Sequence, residues 1–256
     1  MRHLAVCVFV FAAACSSGKA TDNAPAKELR IAAASDLQNA FKEVGAAFET
    51  KTGIKPNFNF SSSGLLAKQI EQGAPFFLFA AANKEFVDQV VKAGKCDGAT
   101  AQLYSRGRLV MWSKAGAPAK ITDLVDPKYQ RIGLANPDHA PYGKAAKQAL
   151  EKAGIYDQVK DRLVLGENIS ATMTYAKEGS VDVAFVALSL AISTDAQLYS
   201  PVELDLHQPL EQTMVVCGKG PEADAGRQFA DFIVGTDGRA IMERYGFSTT
   251  GVITRK

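Results

Sequence analysis

Strand-like and helix-like segments alternate along almost the whole chain, and few architectures accept that order. Short apolar runs fall at 29–34, 56–60, 76–81 and 109–112, and again at 132–135, 163–165, 183–186 and 212–217. Leu37, Ala40, Phe41, Val44, Ala47 and Phe48 recur at helical spacing after the first run. Helix signals also cover 65–72, 85–93 and 223–233, a stretch closing at Leu150, and one opening at Ser170. The Lys114-Ala-Gly-Ala-Pro118 turn and a new segment at 121–124 separate two halves built alike. Such βα alternation predicts an α/β architecture with largely parallel sheets, whose sites lie at the carboxyl ends of the strands. The two halves predict two lobes with a cleft: 28–113 with 213–256 in one, 114–212 in the other.

Two strand ends share a design. Arg30-Ile-Ala-Ala-Ala-Ser35-Asp and Phe58-Asn-Phe-Ser61-Ser-Ser-Gly64 each end a strand and open a helix on serine. A serine there caps free backbone N–H groups. The same helix terminus attracts anions, because its N–H groups and dipole face a ligand. From these residues alone, plain capping and an anion site both remain open.

The start of the chain reads as an export signal. Met1-Arg2-His3 precedes an apolar stretch over 4–14, too short to span a bilayer, and then Cys15. Residues 1–14 are expected to be a signal peptide and 15–27 a flexible tether. Phe11-Ala-Ala-Ala-Cys15 resembles a bacterial lipoprotein processing box, which implies cleavage before Cys15 and its lipidation. The expected location is the periplasm or the outer face of a membrane. Cys96 and Cys217 then remain in an oxidising compartment, either paired as a disulfide or as two buried thiols.

Several chemistries are disfavoured. The formal net charge of +2 argues against a nucleic-acid partner. Once His3 leaves, His139 and His207 are the histidines left, with no pair at metal-ligand spacing and no Cys-x-x-Cys. No cation site is expected. Ser61-Ser-Ser-Gly64 is not a nucleophile elbow, which needs glycine two places before the serine, and no P-loop is present. Asp36 and Glu167 read as carboxylates at helix starts rather than catalytic acids.

Beyond these local signals, the chain resembles the periplasmic molybdate-binding proteins of ABC transporters, the ModA family. The segments that carry the resemblance are Ala32-Ala-Ala-Ser35-Asp-Leu, Ser61-Ser-Ser-Gly64, Gln69-Ile-Glu-Gln-Gly-Ala-Pro75 and Leu78-Phe79. Asn136-Pro-Asp-His-Ala-Pro141-Tyr-Gly143, Leu165-Gly-Glu-Asn168-Ile, Ala184-Phe-Val-Ala-Leu-Ser189 and Arg244-Tyr-Gly-Phe247 follow in family order. The resemblance implies a two-lobed periplasmic binding protein fold (class II) with two crossover strands. It also implies a tetrahedral oxyanion, molybdate or tungstate, held between the lobes. Ser35 and Ser63 match its anion-binding serines, and Tyr142 and Ile169 match positions giving backbone N–H groups. Some relatives have a tyrosine donor at the place of Ala187, and Ala187, Ser189 and Ser62 are the weaker candidates for a fifth donor. The implied partners are a separate permease and ATPase, with no cofactor and a monomeric receptor. Where the family reads Gly-Ala-Pro-x-Asp, this chain has Gly73-Ala-Pro-Phe-Phe77. Phe77 either extends a buried strand face or alters the cleft.

The chemistry suits molybdate. A fully deprotonated dianion only accepts hydrogen bonds, so its site needs donors and no carboxylate acceptor. Sulfate meets the same rule with shorter bonds, and sequence does not give cavity size. A retuned receptor for sulfate or another anion is the alternative. A secreted hydrolase using Ser35 or Ser63 would need a base, which no local motif supplies.

Overall fold

The computed structural model describes residues 26–249. The signal, the tether and Cys15 itself lie outside them, save Ala26 and Lys27. Ten strands run in chain order: β1 Glu28–Ala34, β2 Lys55–Ser61, β3 Leu78–Ala81, β4 Gln102–Arg106, β5 Leu109–Trp112, β6 Ile132–Ala135, β7 Leu163–Gly166, β8 Val183–Ala187, β9 Tyr199–Pro201 and β10 Glu211–Val216. The α-helices are α1 Gln38–Thr52, α2 Ser63–Glu71, α3 Lys84–Lys92, α4 Pro141–Lys152, α5 Tyr156–Val159, α6 Ile169–Glu178, α7 Leu188–Ala191, α8 Pro221–Val234 and α9 Thr236–Arg244.

Among the described residues the strands form two five-stranded sheets, ordered β2-β1-β3-β10-β4 and β7-β6-β8-β5-β9. β1 runs parallel to β2 and β3, and β6 parallel to β7 and β8. β10 enters the first sheet antiparallel, as β5 enters the second. These are the strands by which the chain changes sheets, once at Gly107-Arg108 and again between Pro201 and Glu211.

This corrects both expected lobe boundaries. Leu109–Trp112, assigned above to the first lobe, pairs with Ala187 to Ala184 of β8 in the second. The return falls two residues early, at Glu211. The Lys114 to Pro118 turn marks only the end of β5. A crossover needs no loop signal of its own, so the change of lobe is silent in the sequence.

Side-chain alternation builds the cores. Leu29, Ile31 and Ala33 face one cluster with Leu37, Phe41, Phe48 and Phe229. Ala32 faces the opposite layer with Leu66, Ile70, Phe79 and Val215. The Phe48 and Phe229 rings meet edge-on, with centroids 5.0 Å apart. A disulfide joins Cys96 to Cys217, tying the segment after α3 to the end of β10. No helix among the described residues is long and apolar enough to cross a membrane.

Candidate oxyanion site in the closed cleft

The carboxyl ends of β1 and β2 lie side by side, with Ala34 paired to Ser61. Ser35 follows β1 in a 3₁₀ turn, Ser35–Leu37, and Ser63 is the first residue of α2. Both are shut away from solvent, at 3% and 0% exposure. Neither hydroxyl caps its own helix: no side-chain cap bond is made at the start of α1, of the 3₁₀ turn or of α2. The capping alternative therefore does not describe these serines.

Each hydroxyl oxygen instead accepts from a backbone N–H. Ala82 donates to Ser63 Oγ at 3.0 Å, and Ser170 donates across the cleft to Ser35 Oγ at 3.4 Å. Occupying the oxygen leaves the hydroxyl proton to be given elsewhere.

The second lobe brings two helix starts. Tyr142 follows Pro141 in the first turn of α4, and Ile169 opens α6, where Asn168 accepts from Ala171 N–H. First-turn N–H groups have no partner inside their own helix, so both positions offer backbone donors. Tyr142 and Ile169 are buried.

Lobe contacts close the cleft. His139 O accepts from Gly64 N–H at 2.9 Å, and Ser62 Oγ lies 2.7 Å from His139 Nδ1. Ser170 Oγ donates to Gln38 Oε1 at 2.8 Å. Lys144 meets Glu85 at 2.9 Å, an exposed pair of little energetic weight. Ser189 donates its proton to the Asp36 carbonyl at 2.7 Å, so this weaker candidate binds the lobes rather than offering a free donor. Ser62 is likewise committed to His139. Ala187 is buried at the end of β8 and has no side-chain donor.

Ser62 with His139 is a serine–imidazole contact, but no carboxylate among the described residues is hydrogen-bonded to the ring to complete a triad. No group of three or more metal-ligating side chains occurs among the described residues.

Local patterns missed one part of the site. Asp36 lies in the first turn after β1, as read from the sequence, but it is buried, at 1% exposure. Gln212 Nε2 donates to its Oδ2 at 2.7 Å, and Tyr104 donates to Gln212 Oε1 at 3.2 Å. The same Gln212 Nε2 lies 3.4 Å from the Tyr142 hydroxyl, and Asp36 Oδ1 has no hydrogen-bond partner among the described residues. Burial pushes the Asp36 pKa up to about 6, against the pull of the Tyr142 and Gln212 hydrogen bonds. Burial, and then the Asp36 charge, raise both tyrosine hydroxyls well above their ordinary range.

The family model described as "Bacterial extracellular solute-binding protein" matches residues 29–248. The chain belongs to that family. It is similar to the molybdate-binding protein ModA of Rhodobacter capsulatus, 33% identical over 88% of this chain and 90% of the relative. It is also similar to the putative ABC transporter substrate-binding lipoprotein YvgL of Bacillus subtilis, 26% identical over 95% of each. The solved periplasmic molybdate-binding protein of Azotobacter vinelandii superposes with a TM-score of 0.80 at 23% identity, covering 89% of this chain and 100% of that one. The fold is that of the two-lobed periplasmic binding proteins, and the chain is a binding protein, not an enzyme.

Proposed function

We propose that this protein captures molybdate or tungstate in the closed cleft and delivers it to a membrane permease driven by a separate ATPase. The observation that carries the reading is the bonding of Ser35 and Ser63. Each hydroxyl oxygen already accepts a backbone N–H, so each hydroxyl proton is free for a ligand that can only accept. Tyr142 and Ile169 would add backbone N–H groups from the facing lobe. This donor set holds a bare dianion without a salt-bridging arginine. A tetrahedral anion that kept a proton would favour a carboxylate acceptor, and none of these four residues is acidic. The ModA name of the Rhodobacter relative supports molybdate in particular.

A calorimetric screen of the purified protein against molybdate, tungstate, sulfate, phosphate and thiosulfate tests the reading. Molybdate and tungstate should bind tightest, and sulfate more weakly. A hydrogen bond to a charged group contributes roughly 1.5–3 kcal/mol, so Ser35→Ala and Ser63→Ala should each weaken binding about 10- to 150-fold. Wild-type affinity in both folded variants would place the site elsewhere.

The anchor belongs to the same proposal. Cleavage before Cys15 and acylation of its thiol would hold the receptor on the membrane beside its permease, and the lipoprotein name of the Bacillus relative supports this. Mass spectrometry of membrane-extracted protein should find acyl mass on Cys15. A soluble product with an unmodified Cys15 would refute the anchor alone.

A further inference from the structure

Asp36 is a buried carboxylate with no cation bonded to it, an arrangement that costs stability and calls for a reason. Its surroundings are drawn from distant parts of the chain. Tyr104 of β4 donates to Gln212 Oε1, which turns the amide of Gln212 so that Nε2 faces Asp36. The same Nε2 lies 3.4 Å from the Tyr142 hydroxyl. The first crossover leaves room for that hydroxyl only because residue 107 is glycine: a Cβ there would lie 2.1 Å from it. Ser189 of the second lobe also donates to the Asp36 carbonyl. Residue 36 thus meets the second lobe at its backbone, and its carboxylate shares the Gln212 amide with the Tyr142 hydroxyl. It sits immediately after one proposed anion donor, Ser35, and one amide group away from the side chain of another, Tyr142.

We propose that Asp36 is a positioning residue for ligand capture: its carboxylate fixes the Gln212 amide that donates to the Tyr142 hydroxyl across the lobe boundary, and so aims the Tyr142 backbone N–H at the anion. The ligand side of this inference rests on the oxyanion reading above. Tyr142 opens α4, so anchoring its ring in the first lobe fixes the orientation of that helix start. The anchor forms only when the lobes meet, and its loss falls on the release of bound anion rather than on its entry.

A double-mutant cycle on Asp36→Asn and Tyr142→Phe, read as molybdate affinity by calorimetry and release rate by stopped flow, tests the anchor. Tyr142→Phe should weaken binding at least tenfold, mostly through faster release. In the Asp36→Asn background the same change should cost less than threefold, because the carboxylate that fixes the Gln212 amide is already gone. An equal factor in both backgrounds, or no loss in the wild-type background, would overturn the proposal. A Tyr142 that only fills space gives equal factors. If the wild type binds none of the screened oxyanions, the oxyanion reading falls by itself. The same cycle in ligand-free melting temperature then decides the anchor: non-additive shifts support it and additive shifts overturn it.

Discussion

The hydroxyl of Ser63 and the carboxyl of Asp36 differ in how far a sequence can reveal them. Ser63 sits in a short run of serines at a strand end, and that local pattern is enough to single it out. Asp36 takes its character from Gln212, 176 residues away, and from Tyr142, so no local pattern could mark it as buried. Its raised pKa makes a stability prediction. Below about pH 3, under the unfolded value of 3.8, the carboxyl is protonated in both the folded and unfolded chain, and burial carries no charge penalty. The penalty grows as pH rises through the folded value of about 6. A shift of this size corresponds to about 3 kcal/mol. Asp36→Asn should therefore leave ligand-free stability unchanged near pH 3 and raise it by up to that amount at pH 7.5. Denaturant unfolding at the two pH values measures the difference, and an equal difference at both would contradict the assignment. Phe77 gives a contrasting case. Its N–H donates to Arg30 O and its ring lies 5.5 Å from the Arg30 guanidinium, beside Gly218. Arg30 lies near the start of β1, roughly 15 Å along the strand from Ser35. Phe77 therefore extends the packed face of the first sheet, far from the serines. Phe77→Asp should change oxyanion affinity by less than tenfold in calorimetry while lowering the melting temperature through lost packing.

At the scale of elements, strongly patterned segments were legible and weakly patterned ones were not. β3, β6 and β8 are short apolar runs buried throughout, β1 is buried from Ile31 onward, and together they carry the core of each sheet. β4 reads Gln-Leu-Tyr-Ser-Arg and is an edge strand held by β10, so its mixed composition hides it. β9 is three residues long at the other edge. α9 carries a glycine at 238 and buries few side chains, which blurs its helical period. The start of α2 shows a constraint of a different kind. Gly64 N–H donates to His139 O, and a Cβ on residue 64 would lie 2.8 Å from His139 Cβ and 2.9 Å from His139 O. The second lobe can approach this close only because the side chain is absent. Gly64→Ala should hold the lobes apart and weaken oxyanion binding at least tenfold. The same Cβ would also lie 2.9 Å from the Phe86 ring of the first lobe, so ligand-free melting measures how much of the strain falls inside that lobe. Unchanged affinity in calorimetry would show that the cleft closes without the His139 contact.

At the scale of the molecule, alternation and internal similarity foretold two α/β lobes, but not where one passes into the other. That information lies in pairing. β5 and β10 each sit antiparallel between strands of the sheet they join, and each was legible as a strand with no sign of its partners. The disulfide acts at this same scale. Cys96 and Cys217 are separated by 121 residues, a span that contains the whole excursion into the second lobe. Both ends of the bond nevertheless lie in the first lobe, at an isolated bridge between the segment after α3 and the end of β10. The bond therefore fixes the returning strand to its own sheet and leaves movement between the lobes free. Closing a loop this long restrains the unfolded chain strongly, and removing the bond should cost about 2–4 kcal/mol. The double substitution Cys96→Ser/Cys217→Ser should show that loss in denaturant unfolding while oxyanion affinity stays within threefold. Thiol counting on the denatured, unreduced wild type should find neither cysteine free. A variant that kept its stability but lost its ligand would mean that the bond restrains the hinge instead of the first lobe.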